Sequence, residues 1–290
     1  MRKTGFRLLI LVIFFSGAAL LLTPHFQSLR SKFSSRKEVE EIKSKKQNNR
    51  EPEESTEREY IQLYEDMKAY NEKIFRDGQS GLTDAWNFQQ PVFRLADYDT
   101  SGDAVGYLSI EAMDLELPLY LGASDENLDK GAAVLGQTSM PIGGTNSNCV
   151  IAAHRGWKGI PMFRDIELLQ TGDKVILTNL WETLEYQVVK CIVITPDDID
   201  AVKIMAGEDM LTLITCHPYT YNFQRYVVYC SRNGQISAEE LPREGVTYVS
   251  SQKEIEREQK WNFAGLTVLG GGCMLGICRF ILGKRKKKNS

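Results

Sequence analysis

The stretch Thr212-Leu213-Ile214-Thr215-Cys216-His217-Pro218-Tyr219-Thr220-Tyr221-Asn222-Phe223-Gln224-Arg225 decides how the rest of the chain is read. It begins as a strand, because Met210, Leu211, Leu213 and Ile214 are apolar and Thr212 and Thr215 are β-branched. Pro218 has no amide hydrogen to give, which ends regular pairing and leaves Cys216 at or near a strand end. Arg225-Tyr226-Val227-Val228-Tyr229 reads as the antiparallel neighbour, and such a hairpin returns Arg225 to the side of Cys216. A guanidinium beside a thiol favours thiolate, the nucleophilic form. Alone, Cys216 would be read as a small buried hydrophobe. Upstream, however, Val150-Ile151-Ala152-Ala153-His154-Arg155-Gly156 is a second short apolar strand ending on a reactive side chain, a histidine able to serve as acid or base.

The composition narrows the possibilities around this pair. A chain of 290 residues allows one or two domains, and its 42% hydrophobic content is that of a globular protein. A net charge of −3 gives no reason to expect a nucleic-acid partner. Of six cysteines, Cys273 and Cys278 lie in an apolar C-terminal segment. If Cys216 stays free, Cys149, Cys191 and Cys230 cannot all pair, so the chain is not a disulfide scaffold. No CxxC pair or Cys/His cluster has metal spacing, and neither a metal nor another cofactor is expected.

Thr-Leu-x-Thr-Cys, with Pro218 two residues after the cysteine and Arg225 nine after it, resembles the signature of the sortases. These are membrane-anchored cysteine transpeptidases of Gram-positive bacteria. The order His154, Cys216, Arg225 agrees with that family and argues against a papain-like protease, in which the cysteine comes first. The resemblance covers roughly residues 81–232 and implies a mainly β fold, the eight-stranded sortase-type barrel with short helices. It implies Cys216 as nucleophile, His154 as general acid/base and Arg225 as the group that holds substrate and oxyanion. Thr215 is read as a substrate-binding hydroxyl, with strand packing as its alternative role. His217 points to the other face of the strand if pairing continues that far, away from the chemistry.

The implied substrates are pilin or surface proteins bearing an LPxTG-type sorting signal, cut between its threonine and glycine through a thioester. In class C members the acceptor is a lysine amine of another pilin subunit. Those members carry an Asp-Pro-aromatic lid over the active site. Asp84-Ala85-Trp86 is similar, with Ala85 where the proline is expected, and it implies a lid of Asp84 against Arg225 and Trp86 over Cys216. A wall-anchoring housekeeping sortase is the alternative within the family. A membrane-tethered adhesin or assembly scaffold without catalysis is the alternative outside it.

In chain order, residues 1–26 read as an N-terminal membrane anchor or signal segment, basic at first and then uncharged from Leu8 to Leu22. Residues 27–77 are a charged linker and then an amphipathic helix, with Tyr60, Leu63, Tyr64, Met67, Tyr70 and Ile74 on one face and Ser55 or Thr56 as N-cap. The lid loop occupies 78–103 and the catalytic barrel 104–235, where about eight short apolar runs read as strands. Within the barrel, Leu128–Val134 and Met162–Leu169 read as short helices. Residues 236–260 form a polar tether, 261–283 a C-terminal transmembrane helix and 284–290 a basic cytoplasmic tail. Basic flanks at both ends predict two cytoplasmic termini, with the catalytic domain on the outer side of the cell membrane.

Overall fold

The computed structural model describes residues 16–17, 22–23, 29–30, 33–44, 54–82, 92–98, 103–157, 160–232, 236–261 and 264–265. The expected lid residues Asp84 and Trp86 lie outside the described residues, as does most of both expected membrane segments. Among the described residues no helix is long and apolar enough to cross a membrane. The chain divides into two units, one of residues 27–250 and one of residues 1–26 with 251–290. The second unit contains a helix over 252–261.

The first unit is built on eight strands: β1 (Ala104–Ile110), β2 (Leu115–Leu121), β3 (Ala132–Val134), β4 (Ser147–Ala152), β5 (Lys174–Asn179), β6 (Thr183–Ile194), β7 (Asp209–His217) and β8 (Gln224–Ser231). They close into a barrel in the order β1-β2-β3-β4-β7-β8-β6-β5, the expected fold and strand number. Two neighbouring pairs are parallel, β2 with β3 and β4 with β7. A closed barrel leaves no sheet edge, which suits strands this apolar.

Alternation along the strands sorts side chains into two clusters. Cys149, Ile151 and Ala153 of the β4 segment, Leu211 and Leu213 of β7, and Tyr226, Val228 and Cys230 of β8 fill the larger core. Val150, Ala152, Met210, Ile214, Val227 and Tyr229 face the other way, against Ala201, Val202, Ile236 and Leu241. A helix over 33–44 (α1) lies along β2: the Tyr120 hydroxyl donates to Glu38 at 2.6 Å, and Lys43 pairs with Glu116. The amphipathic helix α2 (Glu54–Arg76) starts slightly before its expected cap and buries Leu63 and Met67 in the larger core.

Two expected helices take other forms. Leu128–Val134 divides at Gly131 into the end of α3 (Asp125–Lys130) and β3. A Cβ on Gly131 would sit 2.5 Å from the Pro118 carbonyl, so only glycine lets this junction lie against β2. Met162–Leu169 is a turn followed by one 3-10 turn (Ile166–Leu168), because Met162 takes φ 44° and interrupts any α-helix there. Residues 236–250, read from sequence as a tether, pack on the barrel instead. Ile236 and Leu241 are buried, and Lys190 Nζ donates to the Ala238 and Leu241 carbonyls.

Candidate active site

The β7–β8 hairpin places the cysteine. Its ladder runs to the last residues, pairing Thr215 with Tyr226, Cys216 with Arg225 and His217 with Gln224. Directly opposed residues of an antiparallel pair have Cβ atoms about 4.5–5.5 Å apart, so Arg225 and Cys216 are side by side. The guanidinium is held from behind: its Nη1 donates to the Asn222 and Gln224 carbonyls, both at 2.8 Å. Burial pulls the Arg225 pKa down and the facing Cys216 pulls it up; the guanidinium stays charged. Cys216 is part-buried and its thiol free.

The parallel β4–β7 pair places the histidine. Its ladder ends at Ala152 opposite Ile214, and two further hydrogen bonds continue it. The Ala153 amide donates to the Ile214 carbonyl at 3.4 Å, and the Thr215 hydroxyl donates to the Ala153 carbonyl at 2.7 Å. Extending that register by two residues sets His154 level with Cys216. By strand parity His154, Cys216 and Arg225 share the face that carries Ala152, Ile214 and Val227. On this register the three residues lie at the same end of three adjacent strands, β4, β7 and β8.

Thr215 takes the packing role. It is 1% exposed, lies on the core face, and gives its hydroxyl hydrogen to Ala153. That donor is therefore committed within the fold and does not face a substrate. His217 is fully buried on that same inner face.

Four neighbours of the site escaped the sequence reading. Trp157 stacks on the His154 ring, with centroids 4.6 Å apart and planes at 23°. Asp129 of α3 brings a carboxylate oxygen to 3.9 Å from His154 Nε2. Arg155 and Glu167 form an ion pair whose side chains are 2% and 0% exposed. Only Arg155 carried a signal in the sequence, as a charged residue inside an apolar run; the others are distant from Cys216 and His154 or lie in loops. Among the described residues no group of three or more His, Cys, Asp or Glu side chains is placed to hold a metal ion.

Comparison with known proteins gives this geometry a family. The Sortase domain profile matches residues 108–233, which spans all eight strands except the start of β1. Sortase A of Bacillus anthracis is 31% identical over 168 residues, 57% of this chain and 77% of that protein. Among solved structures, sortase C-1 of Streptococcus pneumoniae superposes with a TM-score of 0.58 at 29% identity, covering 73% of this chain and all of that one. Sortase C of Clostridium perfringens, solved with the C-terminal cell wall sorting motif, gives a TM-score of 0.56 at 32% identity over 68% of this chain and 98% of that one. With a barrel, a paired cysteine and arginine, and this degree of identity, the chain belongs to the sortase family of cysteine transpeptidases and is most like its class C members.

Proposed function

We propose that this chain cleaves an LPxTG-type sorting signal between threonine and glycine and joins the new threonine carboxyl to a lysine amine of another pilin subunit. One observation carries the reading: Cys216 is paired across the hairpin with Arg225 and is level with His154 on the parallel neighbour. The Cys216 thiolate attacks the threonine carbonyl carbon, and the tetrahedral oxyanion is held by the Arg225 guanidinium. The C–N bond to glycine breaks as His154 imidazolium gives its proton to the leaving amine, which leaves a thioester and a neutral imidazole. An incoming lysine amine then attacks the thioester carbonyl and passes a proton to His154. Collapse breaks the C–S bond and regenerates thiolate and imidazolium. Protons and bonds balance without a cofactor.

The likeness to pilus-related class C structures supports a polymerising role, and the Clostridium perfringens relative solved with the cell wall sorting motif supports a sorting signal as substrate. In this reading Asp84 and Trp86 act as a lid, the apolar segments 8–22 and 263–278 hold the chain in the cell membrane, and the barrel works on the outer side. A second reading, attachment of surface proteins to a cell-wall precursor, is favoured by the match to Sortase A of Bacillus anthracis. A boiled SDS gel of surface protein from cells carrying wild type or Cys216→Ala distinguishes the two. The proposal expects a high-molecular-weight ladder that collapses to monomer in the variant. An unchanged ladder with monomeric surface proteins shed into the medium would favour wall anchoring, and no difference would refute both.

A further inference from the structure

His154 and Cys216 are each followed by a buried polar residue, Arg155 just past the end of β4 and His217 at the end of β7. They meet at a single carboxylate. Arg155 Nη2 donates to Glu167 Oε1, and His217 Nδ1 lies 3.6 Å from that same oxygen and 3.4 Å from Arg155 Nη1. A guanidinium only donates, so His217 Nδ1 accepts and the ring proton sits on Nε2. The second oxygen, Glu167 Oε2, accepts from the Tyr248 hydroxyl at 2.9 Å and from the Ser250 hydroxyl at 2.8 Å. Tyr248 also stacks on His217, with centroids 5.9 Å apart and planes at 16°.

The position of this cluster bears on the reaction. The β4–β7 ladder stops two residues short of His154 and Cys216, so the backbone alone does not fix how these side chains face each other. A buried ion pair loses the hydration of both partners and is a weak source of stability, while a role in fixing register is the best attested reason to retain one. We propose that Glu167 is a positioning residue for the transpeptidation: by holding the Arg155 guanidinium, which in turn donates to His217 Nδ1, it sets the alignment of His154 with Cys216. Tyr248 and Ser250 donate to its second oxygen and extend the support to the segment 236–250. The inference rests on the roles assigned above to Cys216 and His154.

The test is steady-state kinetics of the detergent-solubilised full chain with an LPxTG-type peptide and an amine acceptor, for wild type, Glu167→Gln, Tyr248→Phe and Cys216→Ala. A small misplacement of reacting groups costs up to about a hundredfold in rate, so Glu167→Gln is expected to lower kcat at least about tenfold and leave KM within about twofold. Tyr248→Phe removes one hydrogen bond to the carboxylate from a half-exposed ring, and is expected to lower kcat about threefold with KM unchanged. A purely structural pair would instead lower thermal stability and leave kcat per folded molecule intact. If Glu167→Gln does not fold, Tyr248→Phe decides: a lowered kcat supports the proposal, and wild-type kcat overturns it. If both fold and turn over like wild type while Cys216→Ala is inactive, Glu167 has no positioning role and the catalytic reading stands. Turnover by Cys216→Ala would remove the catalytic reading itself, and the positioning role with it.

Discussion

Replacing Thr215 by valine removes one hydrogen bond and keeps the side-chain shape, which makes it a sharp probe of how His154 is held. The Thr215 hydroxyl donates to the Ala153 carbonyl at 2.7 Å from a site that is 1% exposed. The valine methyl in its place leaves that carbonyl buried without this donor, at a cost of about 1–2 kcal/mol. For a unit of 150–250 residues, each kcal/mol lowers Tm by about 2–4 °C, so a fall of about 2–8 °C is expected. Ala153 adjoins His154, and relaxing it should misalign the acid/base against Cys216. We expect kcat to fall about tenfold, equivalent to about 1.4 kcal/mol of transition-state stabilisation, with KM nearly unchanged. Differential scanning calorimetry and peptide cleavage kinetics measure the two effects. An unchanged Tm with a raised KM would refute the reasoning, because it would show the hydroxyl bound to substrate rather than to the β4 end.

Other substitutions test other parts of the account. Arg225→Ala removes a fixed oxyanion donor, a contribution of roughly 3 kcal/mol, and should lower kcat about a hundredfold in peptide cleavage; a change in KM alone would contradict that role. Stability should also depend on pH through His217, which faces Arg155, Glu167, Tyr226 and Tyr248. Burial, then the Arg155 charge, hold its pKa below the ordinary 6.5, so the unfolded chain binds the proton more readily than the folded one. Stability is therefore lost as pH falls through 6.5 and below, and Tm should drop between pH 7.5 and 5.5 by more in wild type than in His217→Asn. Equal drops would show that His217 is not the group responsible.

Much of the barrel and the three residues at its strand ends were legible in the sequence, because both depend on local pattern. Apolar and β-branched runs of five to ten residues announce strands, and Pro218 marks where one ends. The hairpin followed from Arg225-Tyr226-Val227-Val228-Tyr229 lying one turn after Cys216, and the observed pairing of Cys216 with Arg225 matches it. What escaped the reading depends on contacts between distant segments. Gly131 separates α3 from β3 only because the Pro118 carbonyl approaches it, and nothing local announces that approach. The polar, charged residues of 236–250 suggested a tether, yet two apolar side chains, Ile236 and Leu241, are enough to seat that segment on the barrel. Glu167 lies in a segment that reads as a short helix, with nothing in the sequence to mark it. Its partners Arg155, Tyr248 and Ser250 stand 12, 81 and 83 residues away, beyond the reach of periodicity.

The most direct test of the central claim is a search for the thioester itself. The purified full chain would be incubated with an LPxTG-type peptide without an amine acceptor, quenched in acid, digested and analysed by mass spectrometry. The account predicts that the peptide containing Cys216 gains the mass of the fragment ending in threonine, that hydroxylamine releases it, and that Cys216→Ala forms no adduct. Cleavage of the signal with Cys216 unmodified in wild type and dispensable in the variant would contradict it.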